Sequence, residues 1–414
     1  MLSIDGAQHS DLRTGRAPWA NGARPPRRSL DKDRRCDVLV VGAGITGALV
    51  AEHLVRDGRD VCIVDRERPG LGSTAASTAM LLWEIDRPLA SLTDVYGFER
   101  AARAYRLSLQ AVRGLQSLVE QRQIACRMRA RNSLYLAAGT TDAQALMKEH
   151  ELRVRAGLPG HFLDYQTLRQ QFGIDREAAL LSPDAADADP LCLAHGLMAR
   201  AVAGGGHLFD ADAVHYDTGN QRTTVVMDDG HSIEADWVVL ATGYVMPDFM
   251  ASEIHRVTTT WAVATPPQPR RVRWRGEALI WEATEHYLYL RTTEDHRIVV
   301  GGGDDEAISK PDDRASATPD KTQFLLAGLR GLLPDAEPCA ETAWSGVFGT
   351  TADGLPLIGP VAGHPRLLAA YGYGGNGITF GFLAAELIAG LIGGRRAAWY
   401  DDFPVGRPLP SALK

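Results

Sequence analysis

The chain is poor in cysteine. Its 414 residues contain five, Cys36, Cys62, Cys126, Cys192 and Cys339, and no two form a C-x-x-C pair. This scatter argues against a disulfide framework or a zinc site, so no metal is expected, and it suits a reducing, cytoplasmic setting. No run of about 18 or more apolar residues is present, so no segment is expected to span a bilayer. Excess positive charge is lacking too. The formal net charge of −7 gives no reason to expect nucleic acid or an anionic membrane as a partner. The first 35 residues hold proline, glycine, serine and arginine without an apolar core, and read as a disordered or loosely docked arm rather than a secretory signal. With 45% apolar residues, the chain can bury a large core and divide into two domains.

What is present is concentrated between Cys36 and Asp65. A short apolar, β-branched run, 36–41, reads as a buried strand. It enters Gly42-Ala43-Gly44-Ile45-Thr46-Gly47, a G-x-G-x-x-G turn, and a helical pattern follows to Asp57, with Gly58 as its stop. A second strand, 61–64, ends at Asp65, 23 positions after Gly42 and close to the spacing of about 20 at which an acid meets ribose hydroxyls. Gly42 allows the tight turn, Gly44 lets a pyrophosphate approach, and Gly47 allows close helix–strand packing. The helix N-terminus supplies free N–H groups and a positive dipole end. Together these point to dinucleotide binding.

Downstream of Arg66, the small-residue run 71–79 includes Ser73, Thr74, Ala76 and Ser77, whose hydroxyls and amides suit a pyrophosphate and the inner part of a cofactor. Helical periodicity predicts helices over 98–123, 142–156 and 191–203, with a short capped helix at 164–172 and a strand at 134–138. A short strand at 207–209, a hairpin over 224–235 and a buried strand, 236–240, ending in Ala241-Thr242-Gly243, form the returning half of a nucleotide-binding domain. The segments 257–264, 279–281, 286–291 and 297–301 read as an antiparallel sheet walling a cleft, with Tyr287, Tyr289 and Arg291 sharing one face. A helix is expected at 322–333, then WSGVFGTTADGLPLIGP, a strand at 367–371, and the glycine-rich turn 372–381 opening a last helix.

These motifs, over residues 36–400, resemble the FAD-dependent amino-acid and amine oxidoreductase family, which includes glycine oxidase, sarcosine oxidase and gamma-glutamylputrescine oxidase and is D-amino-acid oxidase-like. The resemblance rests on VVGAGITG with Asp65, GSTAAST, VVLATG, WSGVFGTTADGLPLIGP and GYGGNGITF. It implies an α/β fold, a Rossmann-like FAD-binding domain with an inserted antiparallel-sheet substrate domain. The expected division is an arm (1–35), a discontinuous FAD-binding domain (36–90, 185–255, 340–400), a substrate domain (91–184, 256–339) and a tail (401–414). FAD would be non-covalent, since Gly346 stands where covalent members carry a cysteine. Its contacts would come from Gly42, Gly44, Ile45, Thr46, Gly47, Asp65, Arg66, Ser73, Thr74, Ala76 and Ser77, from Val214 at the adenine, and from Thr242, Gly243 and Gly346. Gly374, Gly375, Asn376, Gly377, Ile378 and Thr379 would sit at the ring and ribityl chain.

The implied reaction is hydride transfer from an amine or N-substituted amino acid to flavin, giving an imine that hydrolyses. The electron acceptor would be oxygen, a quinone or a protein. Where glycine oxidase-like members carry a carboxylate-binding arginine, this chain has Phe348, and Arg291 is the substitute expected from its place on the cleft strand. Tyr289 and His286 are the other candidate site residues, and Trp83, Tyr287, Trp344, Phe348 and Tyr373 candidate pocket walls. The lysine that promotes reaction with oxygen in sarcosine oxidase-like members is replaced by Val299. The alternatives are a flavin-holding subunit of a multi-component dehydrogenase and an NAD(P)H-dependent flavoprotein, the latter lacking a second complete G-x-G-x-x-G.

Overall fold

The strand Arg34–Val41 is buried on both faces, which is why it reads as a continuous apolar run. Val38 and Val40 point into one core, among helices, and Leu39 and Val41 into another on the opposite side. The computed structural model describes residues 2–3, 12–19, 25–250, 252–272, 274–284 and 286–413; the rest of the expected arm and Lys414 lie outside these. Around Arg34–Val41 a parallel sheet forms in the order His364–Tyr371, Ser232–Leu240, Arg34–Val41, Val61–Asp65, His207–Asp210.

Ser232–Leu240 is one strand, where the sequence reads a hairpin arm followed by a separate strand. Its first half pairs antiparallel with Thr223–Met227, and its second half pairs in parallel with His364–Tyr371. Throughout, its other edge stays on Arg34–Val41. Nothing between Ala235 and Asp236 breaks the chain, so the change of neighbour needs no turn.

The helices Ile45–Arg56, Phe98–Gln121, Pro190–Ala203 and Gly377–Ile392 share one apolar core with this sheet. Phe98–Gln121, expected in the substrate domain, therefore packs with the dinucleotide-binding half. The final helix, with the turn before it (374–392), is long and apolar enough by length and composition to cross a membrane, although Asn376 and Glu386 interrupt its apolar run. Of that window 78% is buried against the rest of the chain, as in a central core helix.

A second ten-stranded sheet lies beside the first. In it His255–Ala264 pairs along its whole length with Thr342–Thr351. The sheet is mixed rather than antiparallel: Leu279–Ala283 runs parallel to Arg129–Ala137. Ala178–Asp187, rich in alanine and interrupted by Pro183, carries no strand signal in the sequence, yet it pairs with Arg129–Ala137. The arm is not loose where it is described. Arg13–Gly15 adds to Thr342–Thr351, and Arg28–Ser29 extends the parallel sheet beside His207–Asp210. The tail is fastened as well, through Arg407 on Asp353.

Candidate active site

A cavity opens where the carboxyl ends of the parallel strands meet the N-terminus of Ile45–Arg56. Gly42 has φ +106°, and a Cβ there would overlap the Ala241 carbonyl. A Cβ on Gly47 would overlap the carbonyl oxygen of Gly42, so helix and turn touch only because residue 47 is glycine. Gly44, by contrast, faces the cavity and caps the helix with no side chain of its own; the first helical amide, of Ile45, donates to the Thr74 hydroxyl at 3.0 Å. Asp65, Arg66, Ser73, Thr74, Thr242 and Gly243 line the same space. Asp65 accepts from the amides of Ala43 at 2.6 Å and Glu67 at 2.8 Å, while burial pushes its carboxyl above the usual value. Val214 occupies a bulge between Ala213 and His215; the cavity wall is made one step earlier, by 211–213.

A second cavity continues from the first and shares Ile45, Thr46, Ser73, Thr74 and Gly243 with it. Ala76, Ser77 and Gly346 form its floor, held together by the Trp344 indole N–H donating to the Ala76 carbonyl at 2.9 Å. Gly374, Gly375, Asn376, Gly377 and Ile378 close one end. Tyr287, Tyr289, Phe348 and Tyr373 line it as expected, together with Trp281, which stacks on Tyr135 with ring centroids 3.9 Å apart.

Two ends of an FAD-length slot, a phosphate cradle and a ring-sized aromatic chamber, are thus joined. The sequence pattern of the family described as FAD dependent oxidoreductase matches residues 37–391. This chain belongs to that family. Gamma-glutamylputrescine oxidoreductase of Escherichia coli (strain K12) is 27% identical over 401 residues, covering 93% of this chain and 91% of that protein. Glycine oxidase of Bacillus licheniformis is 24% identical over 394 residues, 90% of this chain and 98% of that protein. In fold, glycine oxidase from Geobacillus kaustophilus superposes with a TM-score of 0.74 at 20% identity, covering 91% of this chain and all of that one.

The oxidoreductase binds FAD without a covalent bond; no cysteine or histidine lines either cavity among the described residues. Several expected site residues are placed elsewhere. Arg291 is 2% exposed and lies in another cavity, its guanidinium 3.6 Å from Asp187, donating to the Ala188 carbonyl and stacked over Trp19. It does share the face of Tyr289, but two residues carry it about 7 Å along the strand, beyond the chamber. His286 is exposed on a turn outside the cavity. Trp83 and Trp344 are buried in the core with their indole N–H groups on main-chain carbonyls. Val299 packs with Ala262, Ala264 and Trp344, so it does not mark a place over the flavin. Thr379 and Asn376 spend their side chains on the main chain of 82–86. The Thr379 hydroxyl and the Asn376 amide both donate to Leu82, and the amide also donates to Glu84.

The segment so held delivers a residue that sequence reasoning missed, Asp86. It faces the chamber with one oxygen accepting from the Gly375 amide at 2.6 Å. Burial, opposed by that amide and aided by Asp304, pushes its carboxyl up to about 6. Tyr244 and Thr260 were missed too. Burial raises Tyr244 to about 12 and Tyr287 and Tyr289 well above the usual phenol value. All three phenols therefore keep their protons at neutral pH, that of Tyr287 donated to Asp304. Asp86 sits in a loop with neither strand nor helix periodicity, and no sequence signal marks it.

Proposed function

We propose that the enzyme dehydrogenates a C–N bond of an amine or N-substituted amino acid. The observation that carries this reading is the aromatic chamber continuous with the dinucleotide cradle, walled by Tyr287, Tyr289, Phe348 and Trp281. Bound FAD supplies a hydride acceptor for the carbon bearing the nitrogen. The substrate nitrogen releases its proton, and the resulting imine takes up water to give a carbonyl compound and a free amine. The chain's part is to hold the amine over the ring and shed water from it. Protonated tyrosines fix orientation, and no strong base is needed.

The test is anaerobic addition of a panel of amines, sarcosine, proline, D-amino acids and polyamines to the purified holoenzyme, following the visible flavin bands. Bleaching by a panel member, with one carbonyl product per flavin reduced, supports the reading. Bleaching by NADH alone overturns it.

A further inference from the structure

The chamber's charge is one-sided. Among its described lining residues there is no arginine, lysine or histidine, and Asp86 is the one ionisable acid. The carboxylate has no ion-pair partner among the described residues, because neighbouring Arg87 turns away to donate to the Ala352 carbonyl at 2.9 Å. A second carboxylate, Asp304, stands behind the chamber wall and accepts from the Tyr287 hydroxyl at 2.9 Å. It adds negative potential. The remaining walls present the faces of Tyr244, Tyr287, Tyr289 and Trp281, which attract a cation and offer nothing to a carboxylate.

The position of Asp86 is also built in. Gly374, at φ +59°, and Gly375 lie so close beneath it that a Cβ on Gly374 would overlap one carboxylate oxygen. Asn376 Oδ1 receives the Asp86 main-chain amide at 3.3 Å. Asp86 also borders a second depression lined by Arg87, Pro88, Ser91 and Thr350, so it stands between the chamber and that outer hollow.

We infer that Asp86 is the anchor for the substrate's ammonium group, and that the substrate is an organic cation, an amine with no carboxylate beside its reacting nitrogen. This rests on the reading of amine oxidation above and narrows it: an amino acid would bring a carboxylate into a chamber that has a like charge and no counter-charge for it. The titratable groups facing Asp86 are the carboxyl of Asp304 and the neutral phenols of Tyr135, Tyr244 and Tyr287; none is a cation.

The experiment uses the FAD holoenzyme and benzyltrimethylammonium, a cation with no oxidisable N–H, followed by the shift it causes in the flavin spectrum. Benzoate is the anionic counterpart. The cation is expected to bind, to compete with an oxidisable amine, and to lose affinity as pH falls through about 6, where Asp86 takes up a proton. Asp86→Asn keeps an acceptor for the Gly375 amide and should lower cation affinity tenfold or more and abolish that pH dependence. The same substitution should raise KM for the amine far more than it lowers kcat. Benzoate binding tighter than the cation, or a wild-type cation affinity flat between pH 5 and 8, overturns the assignment even where the variant is unstable. Cation binding dependent on Asp86 with no amine able to bleach the flavin would leave the anchor standing and sink the oxidation reading. Amine oxidation indifferent to Asp86→Asn would do the reverse.

Discussion

The side-chain amide of Asn376 donates to the main-chain carbonyl of Glu84 at 2.9 Å, across 292 positions of sequence. It ties the glycine-rich turn before the last helix to the segment that carries Asp86.

Asn376→Ala removes the side-chain donor to the Glu84 carbonyl, while Leu82 keeps the Thr379 hydroxyl, a loss of about 1–3 kcal/mol. Because the side chain holds the loop, KM for an amine is expected to rise about tenfold while FAD affinity falls much less. Steady-state kinetics beside FAD titration of the apoprotein check this. Equal losses in both would mean that the amide serves the cofactor instead.

Gly47→Ala puts a methyl into the Gly42 carbonyl, a backbone atom with no room to yield. The variant is expected to purify colourless or to lose FAD on dilution. Retention of FAD at wild-type affinity would show that the turn can open.

Asp353 and Arg407 form a buried bidentate pair, at 2.6 and 2.7 Å. Burial would raise the carboxyl, but the Arg407 guanidinium outweighs it and holds Asp353 below its ordinary value. A carboxyl depressed in the folded state adds stability that is present above its unfolded pKa of about 4 and lost as pH falls through the folded one. Asp353→Asn strands a buried guanidinium and is expected to cost about 3–5 kcal/mol near neutrality. Thermal melts should show the gap between wild type and variant narrowing below about pH 4.

Arg291→Met is expected to change the melting temperature and leave the amine KM within about twofold, since Asp187 keeps Arg129 at 2.7 Å and Arg131 at 3.1 Å. A tenfold rise in KM would return Arg291 to the substrate.

Reduced enzyme is expected to react slowly with oxygen. The first electron onto oxygen makes an anion, and no lysine or arginine lines the chamber, among the described residues, to receive it. Stopped-flow mixing with aerated buffer and with a soluble quinone compares the two acceptors; faster reaction with air than with quinone would reject the expectation.

The dinucleotide cradle was legible because its residues are local: Gly42, Gly44 and Gly47 act within one turn, and Asp65 closes the next strand. Gly243 was legible as the glycine that ends a strand, where it takes φ +64°, and Gly346 came with the family motif, a Cβ there overlapping the Ala76 methyl. Asn376 was found as a site residue, but its hold on Leu82 and Glu84 was not, because these partners lie on a segment with no periodic signal. Arg291 failed differently. Alternation tells which face a side chain takes, and the end of a cavity is set by what packs above the strand, here Trp19 and Ala188.

By itself, then, the sequence determined the strand–turn–helix that holds FAD, the family, and the alternation that sends Tyr287 and Tyr289 to one side of a strand. These follow from steric rules acting over a few residues. Tertiary structure alone decided the sign of charge in the chamber, by bringing Asp86 in beneath Gly374 and Gly375 and carrying Arg291 out to Asp187. That outcome depends on contacts across nearly 300 positions, as between Gly375 and Asp86, and no spacing rule reaches so far.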